Sequence, residues 1–348
     1  MKEIFSKRLR NARMMAALSQ DELVEKMGAI VSKMAISKYE KGHMMADGKV
    51  LLALAKALNV KSDYFFRPFT VGIDRIEFRK KQRLGRKEIN AIKQSVTDVL
   101  ERYLEIEQFL NIESAFVNPL NDIRINSLAD VEKAASTVRT MWNLGLDALP
   151  NVIDLLEYHE MKVIEVDAPG EFDGLSGWAE GNIPLIVINK NITVERKRLT
   201  ALHELGHLIL NIDDGFSEKE IEKTCYLFAG AMLLPESTFK AEVGEHRSHF
   251  NVPELIAIKE TYGISIQAIM ARAKDLGIIA DIQYINFRKW IASNRAENGL
   301  GCYPGPERAK RFHQLIFRAA SEEVISLSKA ANLSNQKLSE FRKEFIAL

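Results

Sequence analysis

A chain of 348 residues, 47% hydrophobic and 27% charged, has the composition of a globular protein with room for two or three domains, not that of a disordered or fibrous one. No apolar run approaches the roughly 18 residues of a membrane span, the start MKEIFSKRLRNAR lacks a signal peptide's apolar stretch, and two cysteines, Cys225 and Cys302, cannot build a disulfide framework, so a cytoplasmic protein without membrane contact is expected. The net charge of +1 hides a split, because residues 1–93 hold 21 Lys/Arg against 10 Asp/Glu and the rest of the chain is acidic, as in a nucleic-acid-binding module joined to another body or merely a solvated basic surface.

Over residues 4–66, apolar positions such as Ile4, Leu9, Leu23, Ile36, Leu54 and Leu58 recur at helical spacing and predict five short helices. Ser19 with Glu22 predicts a capping box, and Asp47 the cap of the helix running to Leu58. A basic run, RKKQRLGRK at 79–87, leads into a long amphipathic helix that reads as a connector or dimerisation element, ending before Pro119. Helices follow over 128–142 and 152–159. The period then changes: KVIEV (162–166) and IPLIVIN (183–189) predict strands, with Gly170, Gly174, Gly177 and Gly181 punctuating the turns between them. Thr193 caps a helix reaching Leu210, and another runs from about Ser217 to Leu234 before Pro235. Helices continue to about residue 280, and residues 281–348 hold a turn at GLGCYPGPE (299–307) and two or three helices. The fold class is α+β and predominantly helical. The domains expected are an all-α domain over 1–67, a basic linker and connector helix over 68–118, a central α+β domain with a small sheet over 119–280, and a helical C-terminal segment over 281–348.

In a helix-turn-helix, one helix braces on the DNA backbone and a second presents its first residues to base edges in the major groove. Residues 20–28 fit the first helix and 32–40 the second. Ser32, Lys33, Met34, Ser37 and Lys38 are then groove-facing candidates, with Ala35 and Ile36 packed inward. Gln20, Arg8 and Arg10 are phosphate-contact candidates. The stretch VSKMAISKYEKG (31–42) resembles the recognition segment of Xre-type regulators, and the resemblance covers 4–66. It implies double-stranded DNA as partner and, by analogy, a homodimer. Gly28-Ala29-Ile30-Val31 makes the turn about two residues longer than the family's.

His203 and His207 of HELGH are four residues apart, so on a helix they share a face and can bind one cation through imidazole nitrogens. Glu204 lies beside that face as a general base toward water. A third protein ligand should come from a nearby helix, and Glu222 is the best candidate, with Phe228 and Leu233 facing the core. Residues 199–210 and 221–235 resemble the ImmA/IrrE metallopeptidases, whose HExxH is followed by a glutamate ligand six residues before a Phe-Ala pair and an apolar run ending in Pro. Phe228-Ala229 and Leu233-Leu234-Pro235 match, which places Glu222 on the ligand. The resemblance spans about 120–280, including DGLSGW (173–178), and implies a zincin-like domain holding Zn2+. Residues 281–348 resemble the C-terminal extension of Xre–ImmA fusions. Where the family has Ala and Asn, this chain has Cys225 and Tyr226, positions near groups that orient the ligands. Cys225 reads as a buried small hydrophobe in preference to a ligand. His246 and His249 read as solvated surface histidines.

The resemblance implies a DNA-binding regulator with a zinc endopeptidase cleaving a transcriptional regulator, or itself, in a stress, phage or mobile-element response. The alternatives are a non-proteolytic transcription factor whose peptidase-like domain senses a ligand, metal or partner, and an antitoxin-like regulator acting through 281–348.

Overall fold

The computed structural model describes residues 1–69, 77–78, 85–113 and 115–346 of the chain. Two compact units emerge: residues 1–114, 178–182 and 310–348 in the first, and 115–177 with 183–309 in the second. Among the described residues no helix is long and apolar enough to cross a membrane.

Helices α1 (Lys2–Met15), α2 (Gln20–Lys26), α3 (Lys33–Glu40) and α4 (Gly48–Leu58) and a 3-10 turn (Ser62–Phe66) supply the five short helices expected at the start. Ser19 and Glu22 form the capping box of α2, and the Asp47 carboxylate accepts the Val50 N–H at 2.9 Å to start α4. Each such cap contributes about 1 kcal/mol by satisfying an otherwise open amide. Phe5, Leu9, Leu23, Ile36, Leu54 and Phe65 form the sealed core beneath these helices. After the two-residue strand β1 (Glu77–Phe78) comes the connector helix α5 (Arg86–Phe109). Of the basic run at 79–87, residues 79–84 lie outside the described residues. Arg8 is not a phosphate contact. It is buried, donating to Glu101 of α5 at 2.7 Å and to the carbonyls of Arg67 and Pro68, so its guanidinium is already spent inside the unit.

The second unit runs through β2 (Arg124–Ile125), α6 (Asp130–Met141), α7 (Val152–Tyr158), β3 (Lys162–Val166), β4 (Gly174–Ala179) as far as Gly177, β5 (Ile183–Asn189), α8 (Val194–Ile209), β6 (Asn211–Ile212) and α9 (Glu218–Leu233). It continues as α10 (Glu236–Val243), α11 (Val252–Tyr262), α12 (Ile266–Asp275) and α13 (Asp281–Ile291). β3 pairs in parallel with β5, Lys162 opposite Leu185 and Val166 opposite Asn189, and β4 lies on the other side of β5. β2 and β6 form a separate short parallel pair. The strand β4 departs from the sequence expectation, which took Gly174 and Gly177 as turn residues. Gly174 is there for proximity: a Cβ would stand 2.7 Å from both the Val187 carbonyl oxygen and Thr200 Cγ2. Its bare backbone therefore lets β4 lie against both β5 and α8.

α8 is buried all round except at Val194, Arg196 and Leu199, as befits a helix inside the domain and not on its face. Its buried charges are met individually. Lys197 pairs with Glu165 of β3 at 2.6 Å, and Glu195 accepts the Tyr303 N–H at 2.8 Å. Arg198 pairs with Glu307 and donates to the carbonyls of Leu149, Tyr262 and Gly263. Among the described residues, 281–346 hold four helices where two or three were expected. The start of α13 carries no side-chain cap, so the sequence gives no signal there. Among them, α14 (Arg311–Ser321), α15 (Leu327–Leu333) and α16 (Leu338–Glu344) place Leu315, Ile316, Ala331 and Phe341 in one cluster with Tyr103 and Ile106 of α5.

Candidate metal centre

The centre begins with a close helix crossing. A Cβ on Gly206 of α8 would stand 3.3 Å from Cys225 Cα and from Phe228 Cδ1 of α9, so the glycine lets the two backbones approach. Ser217 caps α9 with Glu220 in a capping box, and Glu222 in the helix that starts there faces α8.

On α8 the His203 and His207 rings meet edge to face at 86°, with Nε2 atoms 3.1 Å apart. Glu222 Oε2 lies 3.3 Å from His203 Nε2, and Oε1 lies 3.1 Å from His207 Nε2. One donor atom from each of the three residues falls within 4.8 Å of the others. The two imidazoles are buried, whereas the Glu222 side chain keeps 42% of its exposure, so the cluster has one side toward solvent. The imidazoles beside it hold the Glu222 carboxyl well below the usual carboxylate range, hydrogen bonds from His203 and His207 being the main cause. Two imidazole nitrogens and a carboxylate converging on one point, with a side left open, are the donor set of a catalytic zinc site. The residues present fit that ion.

Glu204 is buried beside the pair, and its Oε2 accepts the Ser176 hydroxyl of β4 at 2.8 Å. The close approach at Gly174 brings β4 near enough for this bond. On α9, Cys225 and Tyr226 follow Glu222 by three and four residues and so share its face. Cys225 Sγ lies 3.4 Å from His207 Nδ1, and the half-exposed Tyr226 ring packs on His203 with centroids 4.0 Å apart. Ser176 and these two contacts were not assigned from sequence. The i+3 and i+4 spacing from Glu222 is the signal for the latter pair, whereas nothing in DGLSGW marks Ser176 as a partner of Glu204. His246 and His249 are exposed and are not among the clustered ligands.

On the recognition helix α3, Ser32 accepts the Ala35 N–H as N-cap, Lys33, Met34 and Lys38 are exposed, Ser37 is half-buried and Ile36 points inward. Lys33 reaches Asp21 at 2.6 Å on the surface. Gln20 is tied down: its amide donates to Glu40, which also pairs with Arg13. Arg10 is exposed. The connection from Met27 to Ser32 passes through positive φ at Gly28 and Ala29, which accommodates the additional residues.

Residues 9–65 match the helix-turn-helix family, and residues 156–274 match peptidase family M78, described as the IrrE N-terminal-like domain. The chain is a helix-turn-helix domain fused to an IrrE-like domain. No curated protein matches it. The matched part of the IrrE-like domain begins within α7, ends within α12, and so contains Ser176, His203, Glu204, His207 and Glu222 together. The protein is therefore a DNA-binding regulator carrying a peptidase-like domain.

Proposed function

We propose that the IrrE-like domain is a zinc endopeptidase that cleaves a transcriptional regulator, or this chain itself, in a stress, phage or mobile-element response, while the helix-turn-helix domain binds double-stranded DNA as a homodimer in the cytoplasm. The observation that carries this reading is the convergence of His203, His207 and Glu222 beside a Glu204 carboxylate oriented by Ser176. When bound, zinc supplies Lewis acidity and lowers the pKa of water to about 7. His203 and His207 present their Nε2 atoms from one helix face, and Glu222 closes the triangle from α9. Ser176 holds one oxygen of Glu204, which fixes the plane of the carboxylate that takes a proton from attacking water and returns it to the departing amine. A cleft of about 870 Å³ is lined in part by Leu199, Thr200, Lys223, Leu227 and Tyr226, the last of which also packs on His203, and it has the size to admit part of a polypeptide.

Co-expression with the products of neighbouring genes tests the activity. Wild type is expected to cut one of them, and Glu204→Gln to bind it uncut, with a rate lower by about 10²- to 10⁴-fold as expected for a lost general base. Equal cleavage by both would remove Glu204 from this role. For the DNA-binding half, replacing Lys33 and Lys38 together with Ala should abolish the sequence-specific footprint. If both lysines contact phosphates, the slope of log K against log salt should also fall by roughly 2. An unaltered footprint would show that α3 is not the reading helix.

A further inference from the structure

We infer that Cys225 is a positioning residue of the metal centre: when zinc is bound, its sulfur accepts a hydrogen bond from His207 Nδ1–H and holds that imidazole with Nε2 aimed at the ion. The inference rests on the zinc reading above and begins from the tautomer that reading requires. Both Nε2 atoms face each other and Glu222 at 3.1 to 3.3 Å, so for either to be a ligand it must offer a lone pair. Each neutral ring then carries its proton on Nδ1. On His207 that proton points to the back of the ring, where Cys225 Sγ stands 3.4 Å away, an ordinary distance for an N–H donor to sulfur.

Burial gives the contact its effect. Cys225 is fully enclosed and His207 nearly so, and a hydrogen bond in such surroundings fixes a ring that could otherwise turn about χ2. Its position is imposed by the backbone, since Gly206, the neighbour of His207, lies against Cys225 Cα and Cβ. The thiol sits three residues after Glu222 on the same face of α9, so one helix supplies both a ligand to the ion and a support for the ligand opposite. Sulfur is a weaker acceptor than the carboxylate or carbonyl usually found behind a metal-bound histidine. The effect on affinity therefore belongs at the lower end of what such supports contribute, about tenfold.

The test is zinc affinity of the full chain, measured by competition with a chromophoric chelator, for wild type, Cys225→Ser and Cys225→Ala. Circular dichroism of the metal-free forms checks that each is folded. Serine keeps a hydrogen-bonding atom and is expected within about threefold of wild type, whereas alanine is expected about tenfold weaker. A residue that only fills space gives the opposite order, because serine there buries a hydroxyl and alanine does not. Equal affinities, or alanine above serine, overturn the inference. If the alanine variant does not fold, Cys225→Val fills the same space without accepting a hydrogen bond and takes its place. Failure of wild type itself to bind zinc removes the function proposed above, an outcome distinct from equal binding by all variants.

Discussion

Alanine at His203 or His207 is expected to leave the purified protein without zinc, while wild type holds about one ion per chain. Complete zinc-binding sites in small domains have apparent binding free energies of roughly 10–16 kcal/mol, or about 3 kcal/mol for each of four ligands. Removing one of three protein ligands should therefore lower affinity by a hundredfold or more, enough to lose the ion to a mild chelator. The fold should survive, because α8 is anchored by Leu202, Leu205 and Ile209 and by the pairs at Lys197 and Arg198, none of which involves the rings. Elemental analysis with circular dichroism on the same samples decides the matter. Stoichiometric zinc in the His203→Ala protein would place the ion elsewhere.

A second large effect is expected far from any ligand. Glu307 accepts the N–H groups of Val152 and Ile153 at 2.9 and 3.0 Å and pairs with the fully buried Arg198. Glu307→Ala leaves that guanidinium without its counter-charge and the first turn of α7 without an acceptor, a combination that costs about 3–5 kcal/mol. For a unit of this size the melting temperature should fall by roughly 10 °C. Arg198 lies on α8 five residues before His203, so the same variant should also loosen the metal centre, seen as faster zinc loss to chelator. A stability change below about 1 kcal/mol in chemical denaturation would show that the Arg198 contacts to Leu149, Tyr262 and Gly263 carbonyls suffice alone.

The elements legible in the sequence were those with local signals. Ser19–Glu22, Asp47, Thr193 and Ser217 mark helix starts because a cap is made by neighbours in the chain, and each of these helices begins where the sequence places it. β3 and β5 were legible from their Val- and Ile-rich runs, which suit a strand buried on both faces. β4 was not, because its glycines serve contacts with Val187 and Thr200 that lie across the fold. Arg8 was misleading for the same reason. A basic residue in a DNA-binding domain reads as available, but Glu101, distant in the chain, occupies it.

His203 and His207 could be placed together from sequence alone, with Glu204 beside them, since a four-residue step on a helix fixes the histidines' common face whatever surrounds it. Glu222 was the best candidate on the helix that follows, and the resemblance placed it on the ligand position, because nothing local ties residue 222 to residue 203. What the tertiary structure alone decided is the surround: Ser176 against Glu204, Cys225 behind His207 and Tyr226 over His203. These contacts depend on how closely α8 approaches β4 and α9, and the approach is set by Gly174 and Gly206, whose missing side chains do not say which element they admit. The chemistry of the site is written in short-range spacing, whereas its orientation comes from long-range packing.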